Sequence, residues 1–166
     1  MPKILIIARH AKSARDQTSL PDHDRPLHKK GKHHLKQMEH WLDQQKISAP
    51  DMLVTSTALR TIETSKAYAK VWKLSKKKIK VEKKLYMASY DDLINIIEAT
   101  DEKTKVLCIV WHNPWLTDLI QACGSDWINM PTCGIVIFRY TGKFRGNFET
   151  ELCKVIAAGE PERAEK

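Results

Sequence analysis

Two histidines follow apolar segments in the same way, and an arginine stands beside one of them. His10 comes after the apolar residues 4–8 and Arg9, and His112 comes after residues 106–111. Apolar runs of this kind are typical of buried strands, so each imidazole is predicted to lie where a strand ends. If the two strands are neighbours, both rings point into one crevice. The pattern then favours a reactive pair of imidazoles held by buried strands over a chance occurrence of histidine at two strand ends.

A third cation points to the chemistry that such a crevice would perform. Arg60 lies in the stretch "TSTALRTIET" and is predicted to occupy the first turn of a helix that follows a strand. The free N–H groups and the dipole of a helix N-terminus favour anions. A guanidinium adds a planar fork of donors that matches phosphate oxygens. We therefore expect Arg9, His10, Arg60 and His112 to converge on one anion site.

Alternating elements are predicted to position these residues. The helical patterns cover residues 29–46, 58–72, 89–100 and 113–123, and the strand patterns cover residues 3–9, 51–56, 80–86, 105–111, 134–140 and 150–158. This alternation predicts an α/β fold with a mostly parallel sheet flanked by helices. Ligands bind beyond the carboxyl ends of the strands in such sheets. We expect one domain over residues 1–166, with roughly the last eight residues as a flexible tail.

The charge balance favours an anionic partner. The 166 residues include 28 Lys and Arg against 20 Asp and Glu, a formal net charge of +8. Nucleic acid, phosphate compounds and an acidic protein all fit this excess. Much of it lies in residues 73–84, where the lysines lack interleaved aromatic residues, so a solvated face is expected and nucleic-acid binding is disfavoured. Apolar runs stay below the ~18 residues of a membrane span, and we expect a cytoplasmic protein without a membrane partner.

The cysteines and the potential metal ligands show no binding pattern. None of the four cysteines forms a C-x-x-C pair, and their neighbours are mostly apolar, which predicts buried, reduced thiols: Cys108, Cys123, Cys133 and Cys153. Histidines, cysteines and carboxylates are not spaced as metal ligands, so neither a metal nor another cofactor is expected. The oligomeric state stays open.

Several motifs together resemble one known family. The segments "RHAKS", "DRPL", "ALRTIET", "KLYMAS" and "HNP" occur in this order between about residues 3 and 140. They resemble the histidine phosphatase superfamily and, more narrowly, the SixA-type phosphohistidine phosphatases. The resemblance implies a compact phosphoglycerate-mutase-like fold without a large insertion. It also implies a phosphatase that needs no cofactor.

The resemblance implies a role for each matching residue. His10 would be the nucleophile that takes the phosphoryl group, and three cations would bind that group: Arg9, Arg60 and His112. Ser13 and Asn113, which stand in the same motifs, are expected to bind substrate as well.

The chain departs from the family pattern at two positions. Trp111 stands where the family usually has glycine, and it is expected to narrow the pocket or to stack on a ring of the substrate. His28 stands where the family usually has a threonine or serine that caps the following helix.

The lack of a clear proton donor in the sequence favours one class of substrate. An alkoxide leaving group needs a positioned acid, and the possible carboxyls, Asp22, Asp24 and Glu63, are more typical of loop or helix residues. A protonated phosphoimidazole leaves as neutral imidazole and needs less help. The leading hypothesis is therefore a phosphatase acting on phosphohistidine in a phosphorylated protein. Alternatives are a phosphatase for small phosphomonoesters, a phosphate-binding module of low turnover suggested by Trp111, and a nucleic-acid binder.

Overall fold

Strands and helices alternate along the chain in the computed structural model, which describes residues 1–16 and 19–162. The strands are β1 (Lys3–Arg9), β2 (Met52–Thr55), β3 (Ile79–Val81), β4 (Val106–Trp111), β5 (Ile135–Tyr140) and β6 (Cys153–Gly159). The helices are α1 (Lys29–Gln44), α2 (Leu59–Val71), α3 (Tyr90–Glu98) and α4 (Trp115–Ala122).

The strands form one mostly parallel sheet, which confirms the predicted fold class. Their order is β3-β2-β4-β1-β5-β6. The pairs β2–β3, β2–β4 and β1–β4 are parallel, whereas β5 is antiparallel to both β1 and β6. The carboxyl ends of β1, β2, β3 and β4 therefore share one edge of the sheet.

The central strands are buried on both faces. Leu5 and Ile7 of β1 point into the apolar layer beneath α3 and α4. Ile6 and Ala8 point into the opposite layer, beneath α1 and α2. All four side chains are at most 1% exposed. Burial on both faces is the reason that these strands are continuous apolar runs in a parallel sheet, and it makes β1 a rigid support.

The helix starts follow the local sequence. The side chain of Ser89 accepts from the N–H of Asp92 while the Asp92 carboxylate accepts from the N–H of Ser89, which is the capping box that serine followed three residues later by an acidic residue favours. His28 caps α1, because its Nδ1 accepts from the N–H of Lys30 at 3.1 Å. The histidine thus performs the capping that the family usually assigns to a hydroxyl.

The predicted strand over residues 80–86 is wrong in its extent. β3 is only three residues long, and a 3-10 turn (Lys83–Leu85) follows it. The turn buries Leu85 completely while Lys83 and Lys84 stay exposed. A turn can bury one residue in three, whereas continued strand would have placed alternate residues on opposite faces.

The last strand begins later than its pattern suggested. A 3-10 turn (Thr150–Leu152) precedes β6, which runs to Gly159. Pro161 is buried. Residues 163–166 of the expected tail lie outside the described residues. Within the described part of the chain, no helix has the length and apolar character needed to cross a membrane.

Candidate active site

The register between β1 and β4 brings the two strand-end histidines to the same edge. Arg9 pairs with Trp111, and the N–H of His10 then donates to the carbonyl of Trp111 at 3.0 Å. His10 and His112 therefore follow neighbouring parallel strands at the same level. His10 is only 7% exposed, whereas His112 is half-buried.

One ring nitrogen of His10 is hydrogen-bonded to the backbone, and the other is not. Its Nδ1 lies 2.7 Å from the carbonyl oxygen of Ala11, which can only accept, so Nδ1 carries the hydrogen and Nε2 carries the lone pair. Burial lowers the pKa of His10 to about 3, and the positive charges of Arg60, Arg9 and His112 act in the same direction. The ring is neutral at pH 7, as a nitrogen nucleophile must be.

Arg9 lies at the end of β1 with part of its guanidinium unpartnered. Its Nη1 donates to the carbonyl of Met130 at 2.8 Å, while its buried Nε has no hydrogen-bond partner among the described residues. Burial lowers the pKa of Arg9, and the charges of Arg15 and Arg60 lower it further. A buried donor among neighbouring cations is well suited to an anionic ligand.

Arg60 approaches the same crevice from the first turn of α2, where it is 7% exposed. Its Nη1 donates to the carbonyl of Asp22 at 2.9 Å, and its Nη2 donates to Oδ2 of Asp22 at 3.0 Å. The hydroxyl of Thr64 donates to the Arg60 carbonyl and accepts from the N–H of Ala11. This hydroxyl ties α2 to the segment that follows His10.

His112 has both ring nitrogens beside carbonyl oxygens. Its Nδ1 lies 3.0 Å from the oxygen of Asn113, and its Nε2 lies 3.0 Å from the oxygen of Tyr86. Carbonyls only accept, so the ring can donate to both only when both nitrogens carry hydrogen.

Comparison with known proteins identifies the fold family. The profile described as the histidine phosphatase superfamily (branch 1) matches residues 5–127. The chain belongs to this superfamily. No curated protein matches the sequence at a significant level.

Solved structures of the superfamily share the fold at low identity. A protein assigned as the phosphohistidine phosphatase SixA of Agrobacterium tumefaciens is 21% identical with a TM-score of 0.80, over 97% of this chain and 99% of that one. The protein histidine phosphatase SixA complexed with tungstate is 20% identical with a TM-score of 0.76, over 95% and 97%. A mycobacterial glucosyl-3-phosphoglycerate phosphatase is 11% identical with a TM-score of 0.58, over 99% and 100%.

Trp111 lies in the core of this histidine phosphatase, and the expectation that it narrows the pocket or stacks on a substrate ring is wrong. It is 0% exposed and packs in the apolar layer beneath α3 and α4, because alternation along β4 turns it to the same face as Leu107 and Ile109. Its Nε1 donates to the carbonyl of Leu85, and its ring lies 5.1 Å from that of His112. The buried indole therefore packs beside the ring of His112 on the core side of that ring.

Ser13 and Asn113, the two further residues expected to bind substrate, both make hydrogen-bonded contacts within the protein. Ser13 forms an antiparallel bridge with Leu27. The side-chain NH₂ of Asn113 donates to Asn129 and to the carbonyl of Met130, and its oxygen accepts from the N–H and the hydroxyl of Thr117. Since the Met130 carbonyl also binds Arg9, Asn113 orients the loop that supports this arginine.

Asp22 is an ion-pair partner of Arg60. Partial burial would raise the pKa of its carboxyl, but hydrogen bonds from Tyr86 and Arg60 outweigh this and lower it. The Tyr86 hydroxyl donates to Oδ2 at 2.8 Å. Asp22 is therefore ionised at neutral pH, which makes it a poor proton donor.

The other two carboxyls considered as acids have structural contacts. The carboxylate of Glu63 accepts from the N–H of Leu27 at 3.0 Å, which secures the "DRPL" segment against α2. Asp24 lies 3.1 Å from Nδ1 of His23. Each of the three carboxyls thus has a structural contact, and none of them is an evident proton donor.

Sequence reasoning missed two side chains at the rim. Tyr86 links both halves of the site, because its hydroxyl binds Asp22 and its carbonyl faces His112; its assignment to a strand concealed this. Arg25 has a buried Nε without a partner among the described residues and approaches Asp22 at 4.0 Å. Its signal was the "DRPL" motif itself.

The described residues contain no group of three or more His, Cys, Asp or Glu side chains that could hold a metal ion. The positive charges of Arg60 and Arg9 act on His10, and the ionised carboxylate of Asp22 is paired with Arg60 beside them. This arrangement can bind a phosphoryl group and present a neutral nitrogen to its phosphorus.

Proposed function

We propose that this histidine phosphatase hydrolyses phosphohistidine in proteins through a phosphohistidine intermediate on His10. The observation that carries the proposal is the state of His10. Its imidazole is buried and neutral, Nδ1–H is held by the Ala11 carbonyl, and Nε2 has its lone pair available among cations. A nitrogen in this state is an activated nucleophile.

The proposed reaction has two displacements at phosphorus. In the first, Nε2 of His10 forms a bond to phosphorus while the bond from phosphorus to the substrate imidazole breaks, and that imidazole leaves with its electron pair. In the second, water attacks the phosphorus, the bond to Nε2 breaks, and the electron pair of that bond returns to Nε2. One proton of the water stays on the product as phosphate hydroxyl and the other passes to a phosphate oxygen or to solvent, so His10 returns to its neutral form with hydrogen on Nδ1. Arg9, Arg60 and His112 bind the phosphoryl oxygens, where charge lies in the transition state.

The absence of an evident acid among the candidate carboxyls favours a P–N substrate. Asp22 is ionised, while Glu63 and Asp24 have structural contacts. A phosphoimidazole protonated on its second nitrogen leaves as neutral imidazole, so it needs no donor. The name of the SixA relative from Agrobacterium tumefaciens, phosphohistidine phosphatase, agrees with this choice. The burial of Trp111 removes the observation that had suggested a module of low turnover.

Hydrolysis of small phosphomonoesters is the second candidate, since a glucosyl-3-phosphoglycerate phosphatase shares the fold. The test compares a peptide carrying phosphohistidine with a sugar phosphate in side-by-side assays of kcat/KM. We expect the phosphopeptide to be preferred and rapid quenching to trap acid-labile phosphate on His10. Preference for the sugar phosphate would contradict the substrate, and labelled phosphate on another residue would contradict the intermediate.

A further inference from the structure

A groove between α2 and β3 lies outside the candidate active site. It encloses about 660 Å³. Its floor is apolar and is formed by Ile62, Ala69, Leu74, Ile79 and Val81. Val81 is 50% exposed, although a valine in a strand is usually covered. The groove therefore presents apolar surface that burial against a partner would stabilise.

The rim of this groove is basic. Lys66, Lys70, Lys73 and Lys76 line it, all of them exposed, and the lining includes no acidic side chain among the described residues. Four lysines on one rim repel the same face of a second copy of this chain. They attract a partner with carboxylates at its edges.

Two unsatisfied features show what kind of partner fits. The hydroxyl of Ser65 lines the groove, is 1% exposed as a residue, and has no hydrogen-bond partner in the described part of the chain. β3 lies at the end of the sheet, so its outer side can pair with an added strand. An extended peptide supplies what the open side of β3 needs, because its main chain offers N–H and C=O groups along one edge.

One end of the groove lies at the same edge of the sheet as the candidate active site, on the side of α2 away from Arg60. Thr55, the last residue of β2, lines it, and the next residue, Ser56, is hydrogen-bonded to Thr61 at 2.7 Å. The groove thus starts at the carboxyl edge of the sheet, beside the first turn of α2. A polypeptide whose phosphorylated residue lies at His10 can continue into it.

We propose that this groove docks an extended acidic segment of the phosphoprotein substrate, an inference that rests on the proposed function. Alternate apolar side chains of the segment pack on the floor, and the intervening carboxylates pair with Lys66, Lys70 and Lys73. No aromatic side chain lines the groove among the described residues. Stacking on bases, a main source of affinity for single-stranded nucleic acid, is therefore not provided.

The test uses two synthetic peptides with one phosphohistidine each. One has a tail of alternating glutamate and valine, and the other has glutamine in place of each glutamate. Their kcat/KM values are measured on the wild type, on the double variant Lys66→Gln/Lys70→Gln, and on the control Lys103→Gln/Lys105→Gln. The control removes the same charge from exposed lysines before β4, at the opposite edge of the sheet.

We expect the glutamate tail to raise kcat/KM by roughly three- to tenfold on the wild type and the control, in line with a few partly exposed ion pairs. The groove variant should lose this advantage while its kcat/KM for the glutamine peptide stays unchanged. Equal rates for the two tails on the wild type would overturn the docking proposal and leave phosphohistidine hydrolysis intact.

Binding of the fluorescein-labelled, unphosphorylated glutamate tail, followed by anisotropy, separates the two proposals. Lysine-dependent binding without hydrolysis of either phosphopeptide would mean that the proposed function is wrong and that the groove takes acidic peptides for another purpose. Labelled polyuridylate is measured in the same way. If polyuridylate binds the wild type but not the groove variant, and the glutamate tail binds neither protein, the groove is a nucleic-acid site and docking of a protein segment is overturned.

Discussion

His10 and His112 occupy equivalent positions after neighbouring strands, yet their surroundings differ. His10 is buried, and only its Nδ1 faces a carbonyl, that of the next residue. His112 is half-buried, and both of its nitrogens face carbonyls. The same sequence signal thus produces one imidazole with a free lone pair and one with two acceptors around it. Under the proposed function, the hydrogen bonding of each ring is what would distinguish the nucleophile, His10, from the binding group, His112.

The chain segments after the two strands cause this difference. After β1 the backbone is held on both sides, because the His10 carbonyl accepts from the N–H of Cys133 and the Ala11 N–H donates to Thr64. These bonds fix the Ala11 carbonyl beneath the ring of His10. After β4 the chain turns into α4, and the ring of His112 lies against Tyr86.

Removing each histidine should give the largest contrast. His10→Ala should reduce hydrolysis of phosphohistidine to background, because the bond-forming atom is lost. His112→Ala should leave measurable turnover, lower by roughly a hundred- to thousandfold, the usual cost of one charge-stabilising donor. Single-turnover assays on both variants, with thermal unfolding to verify the fold, measure this. Equal losses in the two variants would remove the distinction between nucleophile and binding group.

The cationic surroundings of His10 can be weakened without touching its ring. Arg60→Ala removes a fork of donors from the crevice and should lower kcat/KM by roughly a hundred- to thousandfold. Acid-labile phosphate should still be detectable on the protein after rapid quenching, since Nε2 remains. Its absence in a folded Arg60→Ala variant would mean that Arg60 is required for the covalent step itself.

The low pKa of His10 predicts a dependence of stability on pH. Below pH 6.5 the imidazole of the unfolded chain binds a proton, whereas the folded one stays neutral until about pH 3. Stability is thus lost as the pH falls through this window, at up to ~1.4 kcal/mol per pH unit. Urea unfolding at pH 7 and pH 5 should show about 2 kcal/mol more loss for the wild type than for His10→Gln. Parallel losses would mean that His10 titrates normally.

The sequence predicted what depends on period and spacing. The alternation of strands and helices and the position of both histidines after apolar strands follow from patterns in the chain, whereas the pairing of β1 with β4 was only a condition of the predicted site. Side-chain direction at the edge of the sheet was harder to predict. Trp111 follows the alternation of β4 into the core. Because it is next to His112 in the sequence, it was expected to line the pocket instead.

Contacts between distant segments were outside the reach of local patterns. Asp22 and Arg60 are 38 residues apart, and Tyr86 is 64 residues from Asp22. Only tertiary packing makes Asp22 an ionised partner of Arg60 and excludes it as an acid. The same packing buries His34 on the inner side of α1, although its neighbours in the sequence are mostly polar.

A small change at Tyr86 separates its contact with Asp22 from its contact with His112. Tyr86→Phe removes the hydroxyl that binds Asp22 but keeps the main-chain carbonyl that faces His112. One hydrogen bond to a charged group is worth about 1.5–3 kcal/mol at most, and less where Asp22 is exposed, so we expect only a few-fold fall in kcat/KM. The inhibition constant of tungstate should change by a similar factor, because Arg60 keeps its bonds to Asp22 but loses some of its orientation. Tyr140→Phe is the matched control, since its hydroxyl binds Lys143 and Glu149 away from the site and its loss should affect stability without affecting turnover. A fall in Tyr86→Phe as large as that in Arg60→Ala would place the hydroxyl in contact with the substrate and assign Tyr86 a catalytic role.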